Sequence, residues 1–199
     1  MEDPRVHLCR ICKLAYDRQL LDSAGGNVTT RHGDRIYMTR SYSGARYQWE
    51  LRPDDILVLD RDGNILAGEG EFSREGAVHL ACYREFAAAG CVFHAHSLNI
   101  MPFVVTQTPI PPLSEQTDKY GEIGFCEWAA THTDALAEHV VAALRPSRDR
   151  LERHPIGALI PRHGIFMVGK DLNSTYDALE RLDRNAYIAL MARLLQPGR

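Results

Sequence analysis

Between Pro4 and Leu21, apolar residues fall at Val6, Cys9, Leu14 and Leu21, with Leu8, Ile11 and Ala15 nearby. This spacing predicts an amphipathic helix. Ser23-Ala24-Gly25-Gly26-Asn27 interrupts it, and shorter runs follow. Val28–Arg31 and Arg35–Thr39 read as two strands joined by a hairpin turn at His32-Gly33-Asp34. Arg40 to Arg46 is a polar loop. Ile56–Asp60 is an apolar strand that turns at Asp62-Gly63 and returns through Asn64-Ile65-Leu66. The N-terminal half is therefore predicted to be a meandering antiparallel sheet.

The pattern then changes period. Ser73 opens a predicted helix that stops near Gly90, and an apolar strand follows at once, ending in His94 and His96. Asn99–Phe103 reads as a helical turn and Val104-Val105 as a short buried piece. Thr108-Pro109-Ile110-Pro111-Pro112 is stiff and extended, because proline fixes φ and restricts the residue before it. Leu113 to His132 has no clear period, and long irregular stretches inside compact domains tend to be functional. Thr133 caps a helix with the stripe Leu136, Val140 and Leu144. Arg145 to Pro155 is polar and expected to be exposed. Strands at Ala158–Ile160 and Ile165–Gly169 flank a sharp turn at Pro161–Gly164. The last helix is expected to open on a capping box, Ser174-x-x-Asp177, and to pack a stripe of Tyr176, Leu179, Ala186, Leu190 and Leu194 on the sheet.

Composition narrows the class. The chain has 199 residues, enough to bury a continuous core, and is expected to be a single domain over 1–199. Its net charge is −3, with no long run of like charges, so no nucleic-acid partner is expected. No apolar run is long enough to span a membrane, and the N-terminus lacks a basic, apolar signal, which gives a cytoplasmic expectation. Five dispersed cysteines suit reduced thiols, and Cys9-x-x-Cys12, without a second such pair, reads as part of a helix.

Candidate chemistry gathers around His94 and His96. Residues two apart on a strand share a face, so these imidazoles could offer nitrogens at the roughly 2.0–2.1 Å that zinc requires, given a third ligand. Spacing alone does not choose that ligand. His7, His32, His132, His139 and His154 sit in polar loop or helix-surface contexts, whereas His163 lies beside Gly164 at a strand junction. Glu75 has His79 one turn further along the same helix face, a possible acid/base beside a possible metal. The Gly25-Gly26 turn could expose N–H groups to an anion, or be an ordinary helix-to-strand loop. Ser43 and Gly44 carry the same alternative.

Taken in order, A-G-G-N-V-T-T-R (24–31), L-R-P-D-D-I-L-V-L-D-R-D-G (51–63), S-R-E-G-A-V-H-L-A-C-Y (73–83), V-F-H-A-H-S (92–97) and R-H-G (162–164) resemble the class II aldolase/adducin family. Fuculose-phosphate-type aldolases and ribulose-phosphate 4-epimerases are its best-known enzymes. The resemblance implies an α/β/α sandwich around a mainly antiparallel sheet. It also implies zinc, or another divalent transition metal such as Mn2+, Co2+ or Fe2+, held by His94, His96 and His163. Glu75 falls on the family's catalytic glutamate, and Gly26, Asn27, Ser43, Gly44 and Ser73 fall on its phosphate-binding positions. A cyclic homotetramer with sites at subunit junctions is implied as well. Two departures stand out. T-R-S-Y-S-G replaces the usual Thr-Pro-Ser/Thr-Gly, and Arg74 replaces a serine, which makes Arg74 a candidate phosphate ligand. Glu115, with Tyr120 a few residues on, stands where fuculose-type aldolases supply a tyrosine acid.

The implied activity is retro-aldol cleavage of a small ketose phosphate to dihydroxyacetone phosphate and an aldehyde, the metal stabilising an enediolate. Same-fold decarboxylases, 4-epimerases and methylthioribulose-phosphate-type dehydratases are the enzymatic alternatives. A metal-free interaction module, as in adducin heads, is a third reading. Retention of the three histidines and Glu75 argues against it.

Overall fold

The computed structural model describes residues 2–196. Its seven strands are β1 (Asn27–His32), β2 (Arg35–Thr39), β3 (Ile56–Leu59), β4 (Ile65–Ala67), β5 (Cys91–Ala95), β6 (Ile156–Ile160) and β7 (Gly164–Gly169). They form one sheet in the order β4-β3-β2-β1-β5-β7-β6, and every neighbouring pair is antiparallel. The helices are α1 (Pro4–Asp17), α2 (Ser43–Tyr47), α3 (Gly76–Glu85), α4 (Met101–Thr106), α5 (Glu115–Asp118), α6 (Asp134–Leu144) and α7 (Leu172–Leu195).

Strand alternation sorts the side chains into two cores, one on each face of the sheet. Phe93, Ala95, Ile165 and Met167 pack with Leu8 and Cys12 of α1 and with Leu179 and Leu182 of α7. Val92, Phe166 and Val168 face the other way, against Val78 and Cys82 of α3 and Leu136 and Val140 of α6. The three-layer α/β/α arrangement around an antiparallel sheet therefore holds. Its central strands β1, β5 and β7 are covered on both sides.

Local chemistry moved several boundaries. Asp3 accepts the Arg5 N–H and starts α1, with a proline in the first turn. The helix stops at Asp17 rather than Leu21, because Gln19 takes a left-handed φ of 61°. Leu20 and Leu21 are buried beyond that turn. The polar stretch from Arg40 contains α2, entered through Tyr42 at φ 63°. α3 begins at Gly76, not Ser73, with Glu75 as its N-cap, and it ends at Glu85 because Phe86 is extended. The expected turn at Asn99–Phe103 and the buried Val104-Val105 piece become helix α4, where Val105 is exposed. Asp171, not Ser174, caps α7, accepting the Ser174 N–H at 2.8 Å. Leu194 is exposed and leaves the predicted stripe.

Thr133 caps α6 as expected, accepting the Leu136 N–H. Cys9 and Cys12 are buried free thiols on α1. Among the described residues no helix is long and apolar enough to cross a membrane.

Candidate metal and acid–base site

Three chain segments meet at one end of the central strands: the end of β5, the entry to α3 and the turn between β6 and β7. His94 lies on β5 opposite Asn27 of β1 and Phe166 of β7. Its ring is fully buried and stacks on Phe166 at a centroid distance of 4.5 Å. His96 follows just past the strand. His163 arrives from the β6–β7 turn, where its N–H donates to Ile160 O at 3.1 Å. Close approach of that turn depends on Gly164: a Cβ there would stand 2.4 Å from Ala95 O and 2.9 Å from His96 Cδ2. One nitrogen from each of His94, His96 and His163 lies within 4.8 Å of the other two.

Hydrogen bonds behind the rings fix which nitrogens face one another. His94 Nδ1–H donates to Ile165 O at 3.1 Å, and His96 Nδ1–H donates to Asp22 Oδ1 at 3.2 Å. Each ring in this tautomer carries a bare lone pair on Nε2. Those two Nε2 atoms are 3.2 Å apart. Two lone pairs at that distance repel unless a cation lies between them, and metal-ligating histidines characteristically donate their other N–H to a carbonyl or carboxylate. The donor set therefore fits a nitrogen-preferring divalent metal such as zinc.

Asp22 was missed in the sequence. Its Oδ1 also accepts the Ala24 and Gly25 N–H groups, so one carboxylate shapes the glycine turn and orients His96. The available signal was local, since Asp22-Ser23-Ala24-Gly25 has the form of an Asx turn. Gly26 follows at φ 99°, a backbone setting that glycine adopts at little cost and that other residues rarely enter.

Glu75 closes the fourth side. Its Oε2 is 3.3 Å from His94 Nε2 and its Oε1 is 3.3 Å from His163 Nε2. Asn27 Nδ2 donates to Oε2 at 2.8 Å, while Oε1 is buried without a hydrogen-bond partner, as is His163 Nδ1. Burial drives His94 down to about 3 and also lowers His163, so both imidazoles are neutral near pH 7. For Glu75, burial works upward, but the neighbouring imidazoles and the Asn27 amide outweigh it and lower the carboxyl. The imidazoles' share of that pull is felt only when their cluster carries positive charge. The carboxylate is kept ionised by the Asn27 N–H and by any cation the imidazoles hold.

A pocket of about 160 Å³ opens beside this cluster. Gly26, Asn27, Ser43, Gly44, Ser73 and Arg74 all line it, together with Glu75, His96 and His163. Within it, Ser43 Oγ donates to Arg40 O, and the Asn27 side chain is committed to Glu75. Arg40, paired with the buried Asp55 at 2.8 Å, and His132, at φ 67°, also line the pocket. His132 is exposed at the pocket's edge. Glu115 does not join them: it is exposed at the start of α5, which packs on α7 through Thr117 and Asn185. Tyr120 is buried elsewhere, against His154.

Comparisons with known proteins concern the chain as a whole. The family profile described as the class II aldolase and adducin N-terminal domain matches residues 6–190. An L-fuculose phosphate aldolase of Methanocaldococcus jannaschii is 30% identical over 189 residues, covering 94% of this chain and 96% of the relative. The L-ribulose-5-phosphate 4-epimerase UlaF of Salmonella paratyphi A is 27% identical over 179 residues, covering 87% of this chain and 78% of the relative. Among solved structures, an L-fuculose 1-phosphate aldolase superposes with a TM-score of 0.85 at 22% identity, covering 100% of this chain and 90% of that one. With the profile matched along nearly its whole length, the chain belongs to the class II aldolase and adducin family.

Proposed function

We propose that the protein is a zinc-dependent aldolase that cleaves a small ketose phosphate to dihydroxyacetone phosphate and an aldehyde. The observation that carries this reading is the meeting of three histidine nitrogens with a carboxylate whose Oε1 is buried and unpartnered, at the edge of a polar pocket. His94, His96 and His163 would hold the metal. Bound there, zinc would supply Lewis-acid polarisation of the substrate oxygens next to the bond that breaks.

The protein's own groups do the rest. The Gly26–Asn27 turn, Ser43, Gly44, Ser73 and Arg74 hold the phosphate and so fix the ketose carbons relative to Glu75. As the C–C bond breaks, the ionised Glu75 takes up the proton of the substrate hydroxyl and then delivers it to the carbon left on the dihydroxyacetone half. In the synthetic direction it removes that proton. Within one chain Glu115 does not reach the pocket, so any part it plays is across a subunit junction of the proposed homotetramer. Five buried free thiols suit a reducing cytoplasm, the proposed location.

A second reading is favoured by the epimerase relative: 4-epimerisation of a pentulose phosphate, in which the same bond breaks and re-forms. The deciding experiment incubates the metal-loaded full chain with a panel of ketose 1-phosphates, L-ribulose 5-phosphate, hydroxyaryl carboxylates and methylthioribulose phosphate. Dihydroxyacetone phosphate released from a ketose 1-phosphate is the expected result. Epimerised pentulose phosphate without release would select the second reading. Undiminished turnover after chelation of all metal would overturn both.

A further inference from the structure

Behind the pocket a line of buried polar groups runs from the core to Glu75. Tyr83 OH is 2.9 Å from Thr29 Oγ1, which is 2.9 Å from His79 Nδ1. On its far side His79 Nε2 meets Asn27 Oδ1, and Asn27 Nδ2 donates to Glu75 Oε2 at 2.8 Å. Every member is buried, with Thr29 and His79 at 0% exposure. Glu75 and His79 are one turn apart at the start of α3, and Asn27 and Thr29 are two apart on β1. The strand face and the helix face therefore present alternate members of the line.

The direction of each bond follows from its neighbours. Facing a carboxylate oxygen, the Asn27 amide must present its NH2 to Glu75, which turns Oδ1 toward His79. An acceptor there requires His79 to carry its proton on Nε2. Its Nδ1 is then a bare acceptor, filled by the Thr29 hydroxyl, whose oxygen in turn accepts from Tyr83. Burial holds His79 down to about 3, so a single ring proton is available to make the choice.

We propose that His79 is a positioning residue: by donating from Nε2 to Asn27 it locks the amide that holds Glu75 Oε2, and so leaves Oε1 as the atom that carries the substrate's proton. This role rests on the acid–base function of Glu75. A histidine with no exposure in the core of α3 costs desolvation that an apolar side chain would avoid, and both of its nitrogens are spent on this line. The line also explains why Asn27 is directed to Glu75 rather than into the pocket. Without His79 the amide keeps only its bond to Glu75 and loses its second anchor, and the carboxylate loses its fixed approach to the reacting carbon.

The test has two arms on the full chain. Imidazole nitrogen NMR of the metal-free and zinc-loaded protein, with the His79 signal assigned by its loss in His79→Gln, should show an Nε2-protonated, non-exchanging tautomer. An Nδ1-protonated ring overturns the relay. In kinetics, His79→Leu should lower kcat about 10²-fold, the scale of a small misplacement of a reacting group, with KM and zinc content near wild type. His79→Gln, whose amide N–H can reach Asn27 Oδ1, should recover most of that loss. Should His79→Leu fail to fold, Thr29→Val, which removes the donor to Nδ1, should give the same kcat-selective loss. Unchanged kcat in the variant that folds, or equal loss in His79→Leu and His79→Gln, overturns the positioning role. A wild-type chain that turns over none of the substrates above removes the aldolase reading on which the role rests. A turnover-competent chain with the wrong tautomer removes the relay alone.

Discussion

His94 and His96 face each other through Nε2 atoms 3.2 Å apart, while the opposite nitrogen of each ring is tied down, to Ile165 O and to Asp22. The pair is thus set as acceptors before any ligand arrives. Single His94→Ala, His96→Ala and His163→Ala variants are expected to lose bound zinc, which should be near one per chain in the wild type, and turnover with it. Metal analysis of the purified proteins checks this. Full occupancy in His163→Ala would remove that residue from the ligand set.

Asp22 touches no candidate ligand atom, yet it accepts the His96 Nδ1–H and shapes the glycine turn. Asp22→Ala should weaken zinc affinity by about 10–100-fold, the usual effect of removing a group that orients a ligating histidine. Competition with a coloured chelator measures it. Affinity equal to wild type would reduce Asp22 to a turn former.

Glu75→Gln should keep its zinc and lose most turnover. The amide still fills the site, but it cannot exchange a proton, and general acid–base contributions are typically about 10²–10⁴-fold. Deuterium incorporation at the carbon of dihydroxyacetone phosphate isolates the step from aldehyde addition. Wild-type exchange in the variant would hand the proton to another group, and loss of metal would make Glu75 a ligand.

The Arg40–Asp55 pair should appear in the pH dependence of stability. Burial works to raise Asp55, but the Arg52 N–H and the Arg40 guanidinium outweigh it, so the folded pKa lies below the unfolded one. A depressed carboxyl contributes its stabilisation above the unfolded value, about 3.9, and loses it as pH falls through the folded value. Urea unfolding from neutral to acid pH should therefore show a steeper acid loss for wild type than for Asp55→Asn. Parallel curves would remove the pair from the balance.

Gly164→Ala places a methyl group 2.4 Å from a backbone oxygen and 2.9 Å from the His96 ring. Overpacking of this kind costs about 1–3 kcal/mol, and the β6–β7 turn must back away from β5. Lower unfolding midpoint and lower zinc occupancy should appear together. A destabilised variant with full zinc would show that the turn yields elsewhere.

What the sequence revealed tracks what is local and periodic. His94 and His96 were legible because a strand has a period of two, and the helix and strand runs around them placed the sheet. Glu75 was found, but as a first-turn residue, because Ser73 looks like a cap until the Ser73–Glu75 turn is seen. α2 was not legible, since it depends on Tyr42 and Gln48 adopting left-handed backbone that no side-chain pattern announces. Nor was the Ser174 box, which mimicked a cap that Asp171 supplies. The bond from Asn27 to Glu75 and the nearness of His132 to the pocket were not legible for one reason: their neighbours come from distant strands and turns. Leu113–His132 had no period because its strand-like pairing is confined to isolated bridges, Ile110 with Ile123 and Phe125 with Leu159.

Distance along the chain also decides when the metal can act. Glu75 is 48 residues from the asparagine that holds it, and His94 is 71 from the carbonyl that sets its tautomer. An unfolded chain offers little more than a floppy His94-x-His96 pair, so a metal at the proposed site would have almost nothing to grip until β1, β5 and β7 have zipped together. Binding energy then accrues almost wholly to the native state, rising with the logarithm of free metal. An ion held by the proposed ligands would therefore be a latch rather than a seed: depletion should quicken unfolding while leaving the speed of refolding nearly untouched.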